Sequence, residues 1–286
     1  MGTQRRRPGA KAPGALAASD GRASDAALPP PRRPGPPDPR ADATRWLALS
    51  MGASDPEDRA RYARAGLAAL PLGEDGAAVD GIDLDTQYAL LRQLYAVHLA
   101  QRAFRRAARV AEQMAALGTG FTDIAHHDAS RAWAALGELP AALGAQRLAA
   151  RAAPPTRRSF HYWCLGTLEH FAGDVDGALA SLGRGLRWAR RDRPLLRAHA
   201  AYIRLEAGRA VPALAAVLAS LSRARCREGY GQFLLGMLWY HAGDTRRASL
   251  HLRAFLDRHA DADPARVATL REELRRARLV LASSLD

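Results

Sequence analysis

Lysine is nearly absent from this 286-residue chain: among 42 basic residues Lys11 is the only lysine, and the rest are arginine. Arginine in such excess, beside abundant alanine, glycine and proline, is the imprint of a GC-rich genome, so a net charge of +13 is weak evidence for a nucleic-acid surface. Cysteine is also scarce. Cys164 and Cys226 stand alone, each inside a helical pattern, which argues against a disulfide framework and for a reducing, cytoplasmic compartment. No apolar run is long enough to span a bilayer, and no apolar stretch follows Arg5, Arg6 and Arg7 to make a secretion signal, so no membrane partner is expected. Aromatics make up only 6% and β-branched residues are sparse, whereas the dominant alanine and leucine favour helix throughout.

What the chain does have is a short phrase repeated at a nearly fixed interval: a glycine, a turn, and an alanine five residues on. It runs from Gly137 to Ala142, Gly173 to Ala178, Gly208 to Ala213 and Gly243 to Ala248, with Arg102 to Ala107 as a degenerate copy upstream. The anchors stand 35, 36, 35 and 35 residues apart. Such a period with no strand signal between copies predicts an all-α stack of antiparallel helical hairpins, each burying its apolar face only against its neighbours. Glycine supplies the left-handed backbone that ends the first helix of each pair. Asp174 and Asp244, directly after it, can cap the second helix, and Pro140 and Pro212 fall in its first turn, where a missing N–H does no harm.

Four stretches follow from these signals. Residues 1–40, ending in the proline-rich run from Leu28 to Pro39, cannot bury enough apolar surface to offset chain entropy and are expected as a disordered tail. Residues 41–87 hold an irregular helical pair, with Asp55 as N-cap, Pro56 at the first helical position and an end near Leu70, and then an acidic loop from Gly73 to Asp85. Residues 88–263 hold five units, starting near Tyr88, Asp123, Ser159, Pro194 and Gly229. Residues 264–286 read as one capping helix over the open end of the stack. Its apolar face carries Val267, Leu270, Leu274, Ala277 and Leu281, and Arg275, Arg276 and Arg278 form a solvated face. Residues 41–85 carry nine acids against four arginines and residues 86–286 seventeen acids against thirty arginines, so the repeats suit either their own acidic neighbour or an acidic partner.

Tyr162, Leu165, Gly166, Gly173, Val175, Ala178 and Leu182 in unit three resemble the tetratricopeptide repeat in residue type and spacing. So do Leu235, Gly236, Trp239, Gly243, Ala248 and Leu252 in unit five, and Ser130, Trp133, Gly137, Ala142, Ala149 and Pro154 in unit two. The resemblance covers about residues 88–260. It implies a right-handed α-solenoid with small residues where the two helices of a pair cross, because longer side chains would hold the backbones apart. Tyr95 and Arg102 in unit one, and Arg197 and Arg204 in unit four, depart from the pattern and imply distortion there.

In that family the concave groove is lined mainly by the first helices. Carried onto this sequence, the groove has a polar end of Arg92, Gln93, His127, Asp128 and Arg131. Its aromatic end holds Phe160, Trp163, His170, Tyr202, Tyr230, Phe233, Met237 and Tyr240, with Phe160 and Phe233 fitting equally well as packing between neighbouring repeats. One subclass grips acidic C-terminal peptides with a lysine and asparagine clamp. Arg92, Ala96 and Ala100 stand at the matching positions, so chaperone tails of that kind are not expected.

His126, His127 and Asp128, and the pair His161 with Cys164, invite a metal reading. Adjacent histidines point about 100° apart around a helix, whereas zinc takes ligands four residues apart with others nearby, so no metal is expected. No nucleophile elbow, phosphate-cradling loop or paired-histidine metalloprotease pattern occurs, so neither enzyme nor cofactor is expected. The function read from these features is a non-enzymatic adaptor holding a peptide or helix of a protein partner. The alternative is RNA or DNA binding on an arginine surface that includes Arg92, Arg131, Arg197 and Arg204, with affinity falling steeply as salt rises.

Overall fold

The structure, a computed structural model, describes residues 43–70, 84–224, 229–262 and 264–283. The expected proline-rich tail, the acidic loop as far as residue 83, and Cys226 lie outside the described residues. Among the described residues there are fourteen helices and no strand. The first pair is α1 (Ala43–Gly52) and α2 (Pro56–Ala69). Five hairpins follow: α3 (Leu84–Ala100) with α4 (Phe104–Ala116), α5 (Thr122–Leu136) with α6 (Leu139–Ala152), α7 (Pro155–Phe171) with α8 (Val175–Trp188), α9 (Arg193–Glu206) with α10 (Leu214–Arg223), and α11 (Tyr230–His241) with α12 (Thr245–Arg258). The chain ends in α13 (Pro264–Thr269) and α14 (Arg271–Ser283).

Local signals account for the helix ends. Asp55 accepts a hydrogen bond from the Asp58 amide with Pro56 at the first helical position, and Asp174 and Asp244 cap α8 and α12 in the same way at 2.9 Å. All five anchors take positive φ: Gly137, Gly173, Gly208, Gly243, and also Arg102 at 57°. The fourth copy departs from expectation beyond its glycine. Pro212 and Ala213 lie in a turn before α10, with Ala213 itself left-handed at φ 61° and exposed. Arg209 follows Gly208 where the third and fifth copies have aspartate, so no side chain caps this helix; Arg209 instead donates to Asp176 on α8 at 2.7 Å.

Small residues sit where helices cross. A Cβ on Gly166 would stand 3.0 Å from the Ala178 carbonyl oxygen, and one on Gly236 would stand 2.5 Å from the Leu252 side chain. Ser130 uses the same register to donate to the Ala142 carbonyl at 2.8 Å. In the first hairpin Tyr95 occupies this place and is buried, and α4 compensates by presenting Ala107, Ala108 and Ala111 to the same cluster.

Apolar burial is uneven along the stack. One large cluster, built on Leu90, Leu94, Tyr95 and Met114, spans α2 to α5; a second, built on Tyr202, Leu221, Phe233, Leu235 and Phe255, spans α9 to α14. Between them α6 and α7 bury mostly alanine and polar groups. Burying a Leu or Phe is worth about 1.5–3 kcal/mol, and the middle hairpins forgo much of that. Hydrogen bonds take over: Gln146 donates to the His161 carbonyl at 3.0 Å and pairs with His127 at 2.9 Å, and Ser181 donates to Glu169 at 2.6 Å.

Bonds between side chains also repeat with the period of the fold. Arg92 pairs with Asp128 at a separation of 36 residues, Arg157 with Asp123 at 34, Trp163 with His199 at 36, and His170 with Glu206 at 36. Each ties a first helix to the next first helix. Successive hairpins are thereby held in register on the face where apolar packing is thin.

The C-terminal segment differs most from expectation. The single capping helix expected from Ala265 is broken at Leu270, where Thr269 turns its hydroxyl onto the Arg266 carbonyl at 2.9 Å. Val267 is among the exposed large apolar residues, while α14 buries Glu273, Leu274, Ala277 and Val280. This α14 packs on α11 and α12, and α13 reaches α3 and α5. The segment therefore lies along the first-helix face as well as at the end of the stack.

Candidate functional site

A cavity of about 480 Å³ opens where the core is least apolar. Its walls are His127, Ser130 and Arg131 of α5, Gln146 of α6, and Phe160, Trp163, Cys164, Thr167 and Phe171 of α7; Tyr230 at the start of α11 and residues 268–273 of the C-terminal segment close the other side. Period explains the convergence. Units two and three present the same face one repeat apart, and α13 and the start of α14 fold over it.

Four rings stand in series along this space. His127 meets Phe160 at 4.9 Å between centroids, Phe160 meets Trp163 at 6.2 Å, and Trp163 meets Tyr230 at 5.0 Å, all edge to face. Trp163 is fixed by donating its indole N–H to Nδ1 of His199 at 2.9 Å, which leaves the His199 proton on Nε2. Burial keeps both histidines uncharged: it pushes His199 down to about 3, and His127 down to about 4 against the opposing hydrogen bond that its Nδ1–H donates to Gln146.

Two acids next to each other on α14 behave oppositely. Glu272 accepts from Arg275 and Arg276, which hold its carboxyl down at about 2. Glu273 points inward, is 3% exposed, and has its carboxyl pushed up to about 7 by burial. The Tyr230 hydroxyl faces it and opposes that upward push, although neither that hydroxyl nor Glu273 Oε2 has a partner at full hydrogen-bond distance and angle.

Arg276 pins the segment in place. Its guanidinium binds Glu206, donates to the Tyr202 hydroxyl at 2.8 Å and to Glu272 at 2.8 Å, and lies over the Phe171 ring at 5.1 Å. With its side chain 18% exposed, Arg276 does not belong to the solvated face assigned to it from sequence. Burial opposes ionisation of Glu206, but His170 and Arg276 outweigh it and bring the carboxyl down to about 2.

Of the thirteen residues projected onto the groove, the cavity gathers His127, Arg131, Phe160, Trp163 and Tyr230. Tyr202, Phe233 and Met237 are instead in the C-terminal core, because α9 and α11 turn those positions toward each other and toward α12 and α14. His170 is buried against Glu206, and Asp128 is buried between Arg92 and Arg131. Gln93 and Tyr240 lie off the cavity, Tyr240 exposed. Glu273 was missed from sequence. Its signal was its place at the third residue after Leu270 and one before Leu274, on the apolar stripe.

Among the described residues no three His, Cys, Asp or Glu side chains converge as metal ligands. Burial pushes the Cys164 thiol up to about 12, far from an activated nucleophile.

The sequence matches no protein-family model and no curated protein. The fold is similar to a tetratricopeptide repeat protein from Parabacteroides merdae, with a TM-score of 0.55 and 14% identity, over 85% of this chain and 91% of that one. A further similarity is to the APC/C hetero-tetramer Cut9-Hcn1, with a TM-score of 0.47 and 15% identity, over 86% of this chain and 53% of that one. In fold, this chain is a tetratricopeptide-like helical repeat protein, an all-α solenoid.

Proposed function

We propose that this chain is a non-enzymatic interaction scaffold that holds a peptide or helix of another protein against its first-helix face. The series of rings from His127 through Phe160 and Trp163 to Tyr230 carries the reading. Rigid aromatics around a concave, partly desolvated space are what a protein anchor needs, since they offer large apolar area with little rotamer entropy to lose. A cavity of about 480 Å³ accommodates a side chain or two rather than a helix, so the partner inserts an anchor while its backbone follows the rim. A nucleic-acid reading draws less support, because Arg92 and Arg131 are both committed to the buried Asp128.

The test is affinity capture from nuclease-treated source-cell lysate with the full chain and with Trp163→Ala, followed by mass spectrometry and thermal melting of both proteins. A discrete protein set that is lost with Trp163→Ala while melting stays cooperative supports the reading. Loss of cooperative melting assigns Trp163 to the core, and retained material that disappears only with nuclease moves nucleic acid to first place.

A further inference from the structure

The cavity is walled by a buried acid that has no counter-ion of its own. Glu273 is almost fully buried and lines the cavity, and the one side-chain hydroxyl that acts on its carboxyl is that of Tyr230, a neutral group on the facing helix that meets Oε2 without full hydrogen-bond geometry. A buried carboxylate answered on its open side by a neutral phenol alone is costly to ionise, and its place on a cavity wall leaves room for the counter-ion it lacks.

The missing group has a definable chemistry. It must neutralise or donate to a carboxylate and tolerate an aromatic wall, which Trp163, Tyr230 and Phe160 supply. Two of the nearby protein cations are already committed. Arg276, one turn along α14, is engaged with Glu206, Glu272 and Tyr202, and Arg131 on the opposite wall sits 3.8 Å from Asp128. Arg271 is exposed at the rim. Burial without a counter-ion is also why the Glu273 carboxyl is pushed up to about 7.

We propose that this cavity is a subsite for an organic cation, the ammonium or guanidinium of a lysine or arginine side chain on the protein partner, with Glu273 as counter-ion and Trp163 and Tyr230 as the aromatic wall. The assignment deepens the scaffold reading and rests on it.

Titration of the full chain at pH 8, followed by ligand-observed NMR, tests the chemistry with n-butylammonium, n-butylguanidinium and the neutral n-butanol. The cations are expected to bind at least tenfold more tightly than the alcohol, and Glu273→Gln, which keeps shape and hydrogen-bonding capacity, is expected to abolish that preference while melting cooperatively. Equal binding of cation and alcohol, or a preference that survives Glu273→Gln, overturns the proposal. A second arm uses a blocked pentapeptide with a central arginine and its citrulline counterpart. Arginine-dependent binding at least as tight as that of n-butylguanidinium is expected, and exclusion of the peptide while the free cation binds overturns the assignment to a partner's side chain. If the cation preference is absent but Trp163→Ala still loses captured protein, the cation site fails and the scaffold reading stands.

Discussion

Arg276 reaches back 70 residues, two full repeats, to bind Glu206 on α9. Glu206 in turn holds His170 one repeat earlier, so a single carboxylate links α7, α9 and α14. The C-terminal segment is thereby part of the first-helix face, and the cavity exists only while it is in place.

Replacing this arginine by a side chain of similar length without charge separates the pin from the packing. Arg276→Met leaves Tyr202 and two carboxylates without their shared donor. Because Glu206 and Glu272 are each about a third exposed, the loss is discounted to ~1–2 kcal/mol of stability. Hydrogen exchange should rise over residues 264–283 and far less over α3 to α6. Acid sensitivity should change as well. Both carboxyls are held down at about 2, so they contribute stability that is full above an unfolded value near 4.5 and lost as pH falls toward 2. In Arg276→Met that acid limb should flatten, which denaturant melts between pH 5 and pH 2 can read.

Glu273 carries the opposite pH dependence. The folded carboxyl keeps its proton up to about 7 while the unfolded chain releases it near 4.5, so stability is full below 4.5 and falls as pH rises through 7. The groups that bear on it are Tyr230 of α11, Cys164 of α7, and Glu272 and Arg276 on its own helix; burial outweighs the backbone amide, Tyr230 and Arg276, which favour ionisation, and Glu272 opposes it. Glu273→Gln should therefore stabilise the chain by roughly 2–4 kcal/mol at pH 8 and by little at pH 4. Urea melts of both proteins across this range check it. A parallel pH profile for the two would mean that the carboxyl titrates in the folded chain as it does in the unfolded one.

The period and the turns were legible because backbone geometry dictates them: Gly166 and Gly236 have no room for a Cβ, and the anchor turns require left-handed backbone. The second helix of unit four was less so. Without an aspartate after Gly208, nothing local fixes where α10 begins, and Ala213 falls outside it. Projection of the groove separated unevenly. Trp163 and Tyr230 reach the cavity, whereas Tyr202, Phe233 and Met237 are covered by packing among α9, α11, α12 and α14 that no single repeat specifies. Arg276 and Glu273 were hidden for a related reason. A helix with alternating charge reads as solvated until the surface it lies against is known.

Arg102 offers a test of the turn free of packing. It holds φ at 57° where the other four anchors are glycine, and its side chain is exposed. A side chain in this conformation costs about 1–2 kcal/mol, part of which returns when glycine loosens the unfolded chain. Arg102→Gly should therefore stabilise by ~0.5–1 kcal/mol. Gly173→Ala is the complementary change: φ is 83° and a Cβ there would meet nothing within 4 Å, so its cost of ~1 kcal/mol would be backbone strain alone. Paired urea melts should move in opposite directions by similar amounts. If Arg102→Gly instead destabilises, the arginine side chain makes a contribution that outweighs its strained backbone, and the turn between α3 and α4 is held by more than its conformation.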